Sequence, residues 1–194
     1  MDIQLREVTA GVILTGDDFK VSAFPVMHRG SDCLGYLFEE NPHRPFLPEQ
    51  ADALGVPAGP LRRALVSGQP VTLADGRVVH PDEVLGKELP GLRLVHVGDV
   101  GRTENLVEVC RGADALVIES TYLEEEADMA RQYSHLTARQ AASLAQQAGV
   151  RQLVLTHISR RYREKDVLEE AQAVFPSVVV ARDFDVVQVK RGGS

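Results

Sequence analysis

The segment LRLVHVGD, residues 92–99, shows the pattern on which the fold prediction rests, an apolar run that ends in an Asp, Glu or His residue. Two later segments repeat it, ALVIE at 115–119 and LVLTH at 153–157, and an earlier one, FPVMH, ends at His28. Short apolar runs rich in β-branched residues predict buried strands. Segments with helical spacing separate the later runs, and strands that alternate with helices favour an α/β layered fold.

Turn and cap residues predict the remaining elements. The cluster Thr-Gly-Asp-Asp at 15–18 predicts a hairpin turn between strands at 8–14 and 19–27. Thr137 and Gln140 match a capping box, which predicts a helix start. The predicted helices span 103–111, 124–132, 137–147 and 165–175, and the other predicted strands span 34–38, 92–97, 115–118, 152–156, 178–181 and 186–189.

Residues 41–90 differ from the rest of the chain because eight of the ten prolines lie there. Proline and glycine at this density interrupt long helices and strands. The segment VTLADGRVVH, with Asp75-Gly76 at its centre, predicts one short hairpin. We therefore interpret 41–90 as an arm inserted into a main domain made of residues 1–40 and 91–194.

Composition narrows the class of protein. The chain has 194 residues, of which 44% are hydrophobic and 25% charged, a composition that favours a folded domain over a disordered chain. Its net charge of −7 argues against binding nucleic acid by bulk electrostatics, so any RNA contact must be local. Cys33 and Cys110 have no metal-knuckle spacing and are expected to be reduced thiols. No apolar run approaches the ~20 residues of a membrane span, and no signal-peptide core is visible, so we expect a cytoplasmic protein.

Four strand-terminal residues carry the chemistry: His28, Asp99, Glu119 and His157. Ligands bind at the carboxyl edge of an α/β sheet, and imidazole and carboxylate both suit Zn²⁺. Each residue also has a structural explanation, as a hydrogen-bonded surface histidine, a turn aspartate or a capping glutamate. The residues alone leave a hydrolytic metal site and these structural roles both open.

Two further features lie near those strand ends. His135 lies just before the capped helix. The N-terminus of a helix favours anions such as a phosphate ester, and a histidine placed there could donate a proton to the leaving oxygen of that ester. Arg160, Arg161 and Arg163 follow His157 and suit phosphate recognition. An exposed loop histidine and a solvated basic loop are the alternatives.

The segments PVMHRGSDCLGYLFEE, VGDVGRTENL, IESTYLEEE, SHLTARQAA and LTHISRRY occur in the order found in one enzyme family. From about residue 8 to residue 189, the chain resembles the C-terminal half of RNase Z, the tRNA 3′-endonuclease of the metallo-β-lactamase superfamily. The resemblance implies half of an αββα sandwich with an inserted arm. It also implies a two-zinc site, precursor tRNA as substrate, removal of the 3′ trailer, and a homodimer.

The resemblance also assigns roles to single residues. His28, Asp99 and His157 match the family's metal ligands. Glu119 and His135 match its catalytic pair, in which a carboxylate orients the imidazole that protonates the leaving 3′ oxygen. Arg161 is the expected substrate-binding residue of the basic segment, and 41–90 matches the arm that grips tRNA away from the active site.

The sequence departs from the family pattern in several places. Ile118, Val100 and Leu136 replace a histidine, a threonine and a serine that the family often has. The main metal-binding motif, HxHxDH, does not occur in the chain. We therefore expect only part of the two-zinc site here, with the rest supplied by an N-terminal half, either a separate chain or a segment outside this sequence. The alternatives are a non-catalytic tRNA-binding remnant and another hydrolase of the superfamily.

Overall fold

The structure, a computed structural model, describes residues 4–190. Contacts divide the chain into two compact units. The first combines the residues up to Glu40 with those from Leu92 onward, and the second is Asn41–Gly91. The division lies within one residue of the predicted 41–90 arm, because Gly91 belongs to the second unit.

Seven strands form one sheet in the first unit. They are β1 Gly11–Thr15, β2 Phe19–His28, β3 Gly30–Glu40, β6 Arg93–His96, β7 Ala115–Glu119, β8 Gln152–Thr156 and β9 Val178–Val180. Their order across the sheet is β1-β2-β3-β6-β7-β8-β9. Strands β1, β2, β3 and β6 pair antiparallel, whereas β6, β7, β8 and β9 pair parallel.

The helices of this unit are α3 Val107–Cys110, α4 Ala127–Tyr133, α5 Ala138–Ala148 and α6 Glu164–Gln172. Helix α5 lies close to the sheet because its buried face is mostly alanine. Alternate residues of the central strands, such as Leu116, Ile118 and Leu155, join this face in one buried cluster. Burying a leucine or isoleucine side chain contributes roughly 1.5–3 kcal/mol, so this cluster is the main source of stability for the unit.

Many of the intervening strand residues, which point to the opposite face of the sheet, are also apolar. Val21, Phe38 and Leu94 form one paired row on this face. Val117 and Val154, which pair with each other, lie on the same face. Phe38 remains 42% exposed. Parallel sheets are normally buried on both faces, so this apolar second face has the composition of a surface that packs against another layer.

The second unit contains α1 Pro48–Ala53, α2 Pro60–Val66 and the hairpin β4 Val71–Thr72 with β5 Val78–Val79. The predicted hairpin with Gly76 at its turn is confirmed, and Gly76 has the positive φ of 87° that the turn requires. Both helices begin with proline, which is pre-organised for a first helical turn. Eight buried apolar residues form a separate small core: Ala51, Val56, Leu65, Val71, Leu73, Val79, Val84 and Leu85.

Most predicted elements of the first unit are confirmed, and β8 has the predicted bounds. The predicted helix 103–111 is too long, since only Val107–Cys110 is helical. A turn precedes it, held where the side-chain amide of Asn105 donates to the Pro25 carbonyl. The predicted strand 186–189 is wrong: these residues have no strand partner, and Val186 is almost fully exposed. A strand requires a neighbouring edge, which composition alone does not supply.

Across residues 4–190, none of the helices is both long enough and apolar enough to cross a bilayer.

Candidate metal centre

The strand ends meet at one edge of the sheet. Strands β6, β7 and β8 are parallel neighbours, so the residues at their carboxyl ends come together: Asp99 shortly after β6, Glu119 at the end of β7, and His157 directly after β8. His28, the last residue of β2, lies at the same place. The predicted set of four strand-terminal residues therefore forms one cluster in space.

Asp99 is the meeting point of two histidines. Its Oδ2 atom lies 4.0 Å from Nε2 of His28, and its Oδ1 atom lies 3.7 Å from Nε2 of His157. The Asp99 side chain is 43% exposed, so the carboxylate is open to solvent and to a ligand. Two imidazole nitrogens that approach opposite oxygens of one carboxylate are a donor set suited to Zn²⁺.

The hydrogen bond of His28 determines which ring nitrogen is free. Its Nδ1 atom lies 2.8 Å from the carbonyl oxygen of Ser134. A carbonyl oxygen can only accept, so Nδ1 carries the proton and Nε2, on the Asp99 side, keeps its lone pair in the neutral ring. Metal-binding histidines are usually fixed in this way by a carbonyl or carboxylate, and His28 therefore fits a metal.

His135 is closer to this cluster than the sequence suggested. Ligand atoms of His28, Asp99 and His135 all lie within 4.8 Å of one another. The His135 ring centroid is 5.1 Å from that of His28 and 5.3 Å from that of His157. The sequence predicted His135 as a catalytic residue beside a helix N-terminus, and the structure places its ring directly against the rings of the two candidate metal-binding histidines.

Glu119 orients His135 and is completely buried. Its Oε1 atom accepts from Nδ1 of His135 at 2.7 Å and from the backbone N–H of Val100 at 2.8 Å. Its Oε2 atom accepts from the Thr121 hydroxyl at 2.6 Å and from two backbone N–H groups, those of Thr121 and Leu136. Several donors compensate the buried charge, as burial of a carboxylate requires.

The same carboxylate joins two loops of the site. Val100 follows Asp99, and Leu136 follows His135, so Glu119 connects the loop that carries the candidate ligand to the loop that carries the candidate acid. The sequence could not predict that Val100 and Leu136 bind Glu119, because every residue except proline has a backbone N–H group.

The backbone at the site is strained. His157 has a φ of 55° and Ser134 a φ of 61°, in the left-handed region that favours glycine. For other residues this conformation costs about 1–2 kcal/mol, and such strain clusters at functional sites. The strain sets the direction in which the Ser134 carbonyl and the His157 ring project.

Most side chains of the basic segment after His157 form ion pairs or hydrogen bonds with other residues of this chain. Arg161 donates to Glu126 at 2.9 Å, and the Tyr162 hydroxyl donates to the other oxygen of the same carboxylate. Arg163 pairs with Asp166 at 2.7 Å. Arg160 is exposed and makes no ion pair with residues 4–190. The substrate-binding role of Arg161 stays a prediction, and Arg160 is the less engaged guanidinium.

Comparison with known proteins places this geometry in context. The sequence model of the family described as "Beta-lactamase superfamily domain" matches residues 56–158. The chain is 46% identical over 183 residues to a protein named Ribonuclease Z from a Bradyrhizobium species, covering 94% of this chain and 61% of the relative. It is 42% identical over 187 residues to a Ribonuclease Z from Bradyrhizobium diazoefficiens, covering 96% of this chain and 62% of the relative.

Among solved structures, the chain is similar to human tRNase Z, short form, with a TM-score of 0.54 and 21% identity. The match covers 92% of this chain and 45% of the human chain. A metallo-β-lactamase fold protein from Bacillus subtilis is also similar, with a TM-score of 0.55 and 15% identity over 87% of this chain and 49% of that protein, and this similarity shows the fold. The chain spans about three fifths of the length of the two Ribonuclease Z relatives.

Proposed function

The chain belongs to the β-lactamase superfamily, and on that premise we propose that it forms the C-terminal part of a zinc-dependent endoribonuclease that removes the 3′ trailer from precursor tRNA. The observation that carries the proposal is the convergence of His28, Asp99 and His157 beside the pair formed by Glu119 and His135. Identity of 46% and 42% to proteins named Ribonuclease Z, over almost the whole chain, supports the substrate class.

His28, Asp99 and His157 would hold the metal. A bound zinc ion supplies Lewis acidity to the phosphodiester and makes a hydroxide available at neutral pH. Glu119 holds the proton of His135 at Nδ1, which orients the ring and stabilises its cationic form. His135 then carries a second proton at Nε2 and delivers it to the 3′ oxygen as the P–O bond breaks.

Two histidines and one aspartate cannot complete two zinc coordination shells, since structural and catalytic zinc ions each take about four ligands. We infer that a further segment carrying HxHxDH completes the site. The apolar second face of the sheet, with Phe38 42% exposed, supports packing against a second sheet. Assembly as a homodimer and a tRNA grip by residues 41–90 are parts of the same proposal and rest on the family resemblance. A cytoplasmic location is proposed with them.

The test is cleavage of a 5′-labelled precursor tRNA in the presence of zinc, by the chain alone and together with a polypeptide that supplies HxHxDH. We expect release of the trailer only in the combined reaction, and we expect His157→Ala to abolish it. Zinc content of the purified proteins is measured in parallel. Undiminished cleavage by His157→Ala, at equal zinc content, is the outcome that would falsify the assignment. Binding of precursor tRNA without cleavage in any combination would favour a non-catalytic tRNA-binding protein.

A further inference from the structure

A groove of about 910 Å³ is lined by His28 and by none of the residues of the basic segment that follows His157. Three arginines line it, Arg29, Arg102 and Arg131, together with one carboxylate, Glu104. The local charge is therefore positive on a chain whose net charge is −7. A positive cleft on an acidic protein concentrates anions at that position alone.

Arg29 is held in place. Its Nε atom donates to the carbonyl oxygen of Tyr133 at 3.0 Å, and its guanidinium lies 5.9 Å from the centre of the Tyr133 ring. The backbone of Arg29 has a φ of 41°, a left-handed conformation that is unfavourable for a side chain of this size. Among the groups that the structure describes, these contacts use only the Nε atom of Arg29, so the two terminal nitrogens of its guanidinium remain available to a ligand.

Arg102 is exposed and forms no ion pair with any described residue. Arg131 is bound to Asp128, so its charge is partly neutralised and we assign it a smaller part. The two available guanidinium groups belong to residues that lie close in sequence to candidate metal ligands. Arg29 follows His28 directly, and Arg102 lies three residues after Asp99.

We propose that this groove, called here the Arg29 groove, binds the phosphodiester backbone of RNA beside the reactive phosphate. The proposal rests on the proposed function, since it assumes that the substrate is RNA. The guanidinium fork matches two phosphate oxygens at once, and a fork fixed in advance loses less side-chain entropy on binding. Contacts of this kind position a nucleic acid without reading its sequence.

The test measures binding of the 194-residue chain to a labelled single-stranded RNA and to a precursor tRNA over a range of salt concentrations. We expect the double variant Arg29→Ala/Arg102→Ala to weaken binding by roughly tenfold at low salt and to reduce the slope of log K against log salt by about 1–2. The matched control is Arg111→Ala/Arg182→Ala, which removes the same charge from arginines paired with Glu108 and Glu164 elsewhere on the surface. The control should retain the wild-type slope.

Equal losses in the two double variants would show that only net charge matters and would overturn the Arg29 groove. Absence of any RNA binding by the wild-type chain would overturn it as well. The proposed function fails separately, if RNA binds with the expected dependence on Arg29 and Arg102 but no complemented mixture cleaves precursor tRNA. Arg29→Lys distinguishes the fork from its charge, and we expect it to restore the salt slope but not the full affinity.

Discussion

Nδ1 of His28 lies 2.8 Å from the carbonyl oxygen of Ser134, a residue 106 positions further along the chain. Ser134 ends α4 in a left-handed conformation, and this conformation sets the direction of its carbonyl. The tautomer of a candidate metal ligand thus depends on the shape of a helix end. Gly101 packs against this helix end, since a Cβ atom at position 101 would lie 3.0 Å from Cα of Ser134.

The variant Gly101→Ala should therefore displace Ser134 and release His28 from its fixed orientation. Overpacking of this kind costs about 1–3 kcal/mol, and loss of an outer hydrogen bond to a ligating histidine lowers metal affinity by roughly 10–100-fold. Urea unfolding and calorimetric titration with zinc measure the two effects. Gly98→Ala is the control, because a Cβ there meets nothing within 4 Å. Wild-type zinc affinity in Gly101→Ala would mean that Ser134 does not set the ligand geometry.

Thr121 provides a second probe of the site. Its hydroxyl donates to the buried Oε2 of Glu119 at 2.6 Å, and hydrogen bonds to charged groups contribute about 1.5–3 kcal/mol. We expect Thr121→Val, which keeps the shape of the side chain, to lower the free energy of unfolding by about that amount. Cleavage by the complemented enzyme should also fall, because Glu119 orients His135. Thr121→Ser keeps the donor and should recover both. A Thr121→Val variant as stable and as active as the wild type would contradict the role of the hydroxyl.

The buried thiol of Cys110 predicts a pH dependence of stability. Burial raises the pKa of Cys110 from 9.0 to about 12, because the thiolate is poorly solvated in the core. The folded state thus holds this proton more tightly than the unfolded state. The resulting stabilisation is complete below about pH 9 and is lost as the pH rises towards 12, at about 1.4 kcal/mol for each pH unit.

Comparison with Cys110→Ala isolates this contribution from the other groups that titrate at high pH. The variant leaves a small cavity and should be less stable than the wild type at pH 8. Its deficit should shrink between pH 9 and pH 10.5, as measured by urea unfolding at each pH. Cys33→Ala, which removes the half-buried thiol, is the control. A deficit that stays constant with pH would contradict the buried-thiol explanation.

Neighbouring arginines in the second unit should behave differently. Arg62 donates to the Val56 carbonyl and pairs with Asp52. Its guanidinium also lies over the Phe46 ring, so these contacts should stabilise the second unit. Arg62→Ala should destabilise this unit by about 1–3 kcal/mol, seen as faster amide hydrogen exchange in 41–91.

Arg63 is exposed and has no ion pair within the described range. Arg63→Ala should leave amide exchange unchanged and, if this unit grips tRNA, should reduce the salt slope of tRNA binding by about 1. Equal exchange in the two variants would show that the contacts of Arg62 do not stabilise the unit.

The local elements were largely predictable from the chain. The bounds of β8 match the predicted strand, and α5 has the predicted capping box and a left-handed Gly149 at its end. Both depend on signals close in sequence, namely apolar runs and cap residues. The predicted strand at 186–189 failed because a strand also needs a pairing edge, and pairing is a property of distant segments.

The sequence alone determined that His28, Asp99, Glu119 and His157 end apolar strands, and parallel packing of strands then requires their carboxyl ends to share one edge. Three relationships become visible only in the folded chain. His135 lies beside the candidate metal ligands, Ser134 fixes the tautomer of His28, and Glu126 pairs with Arg161. These three relationships depend on how loops cross the end of the sheet. A periodic pattern of apolar residues records burial along each strand, but it carries no information about the path of the loops between them.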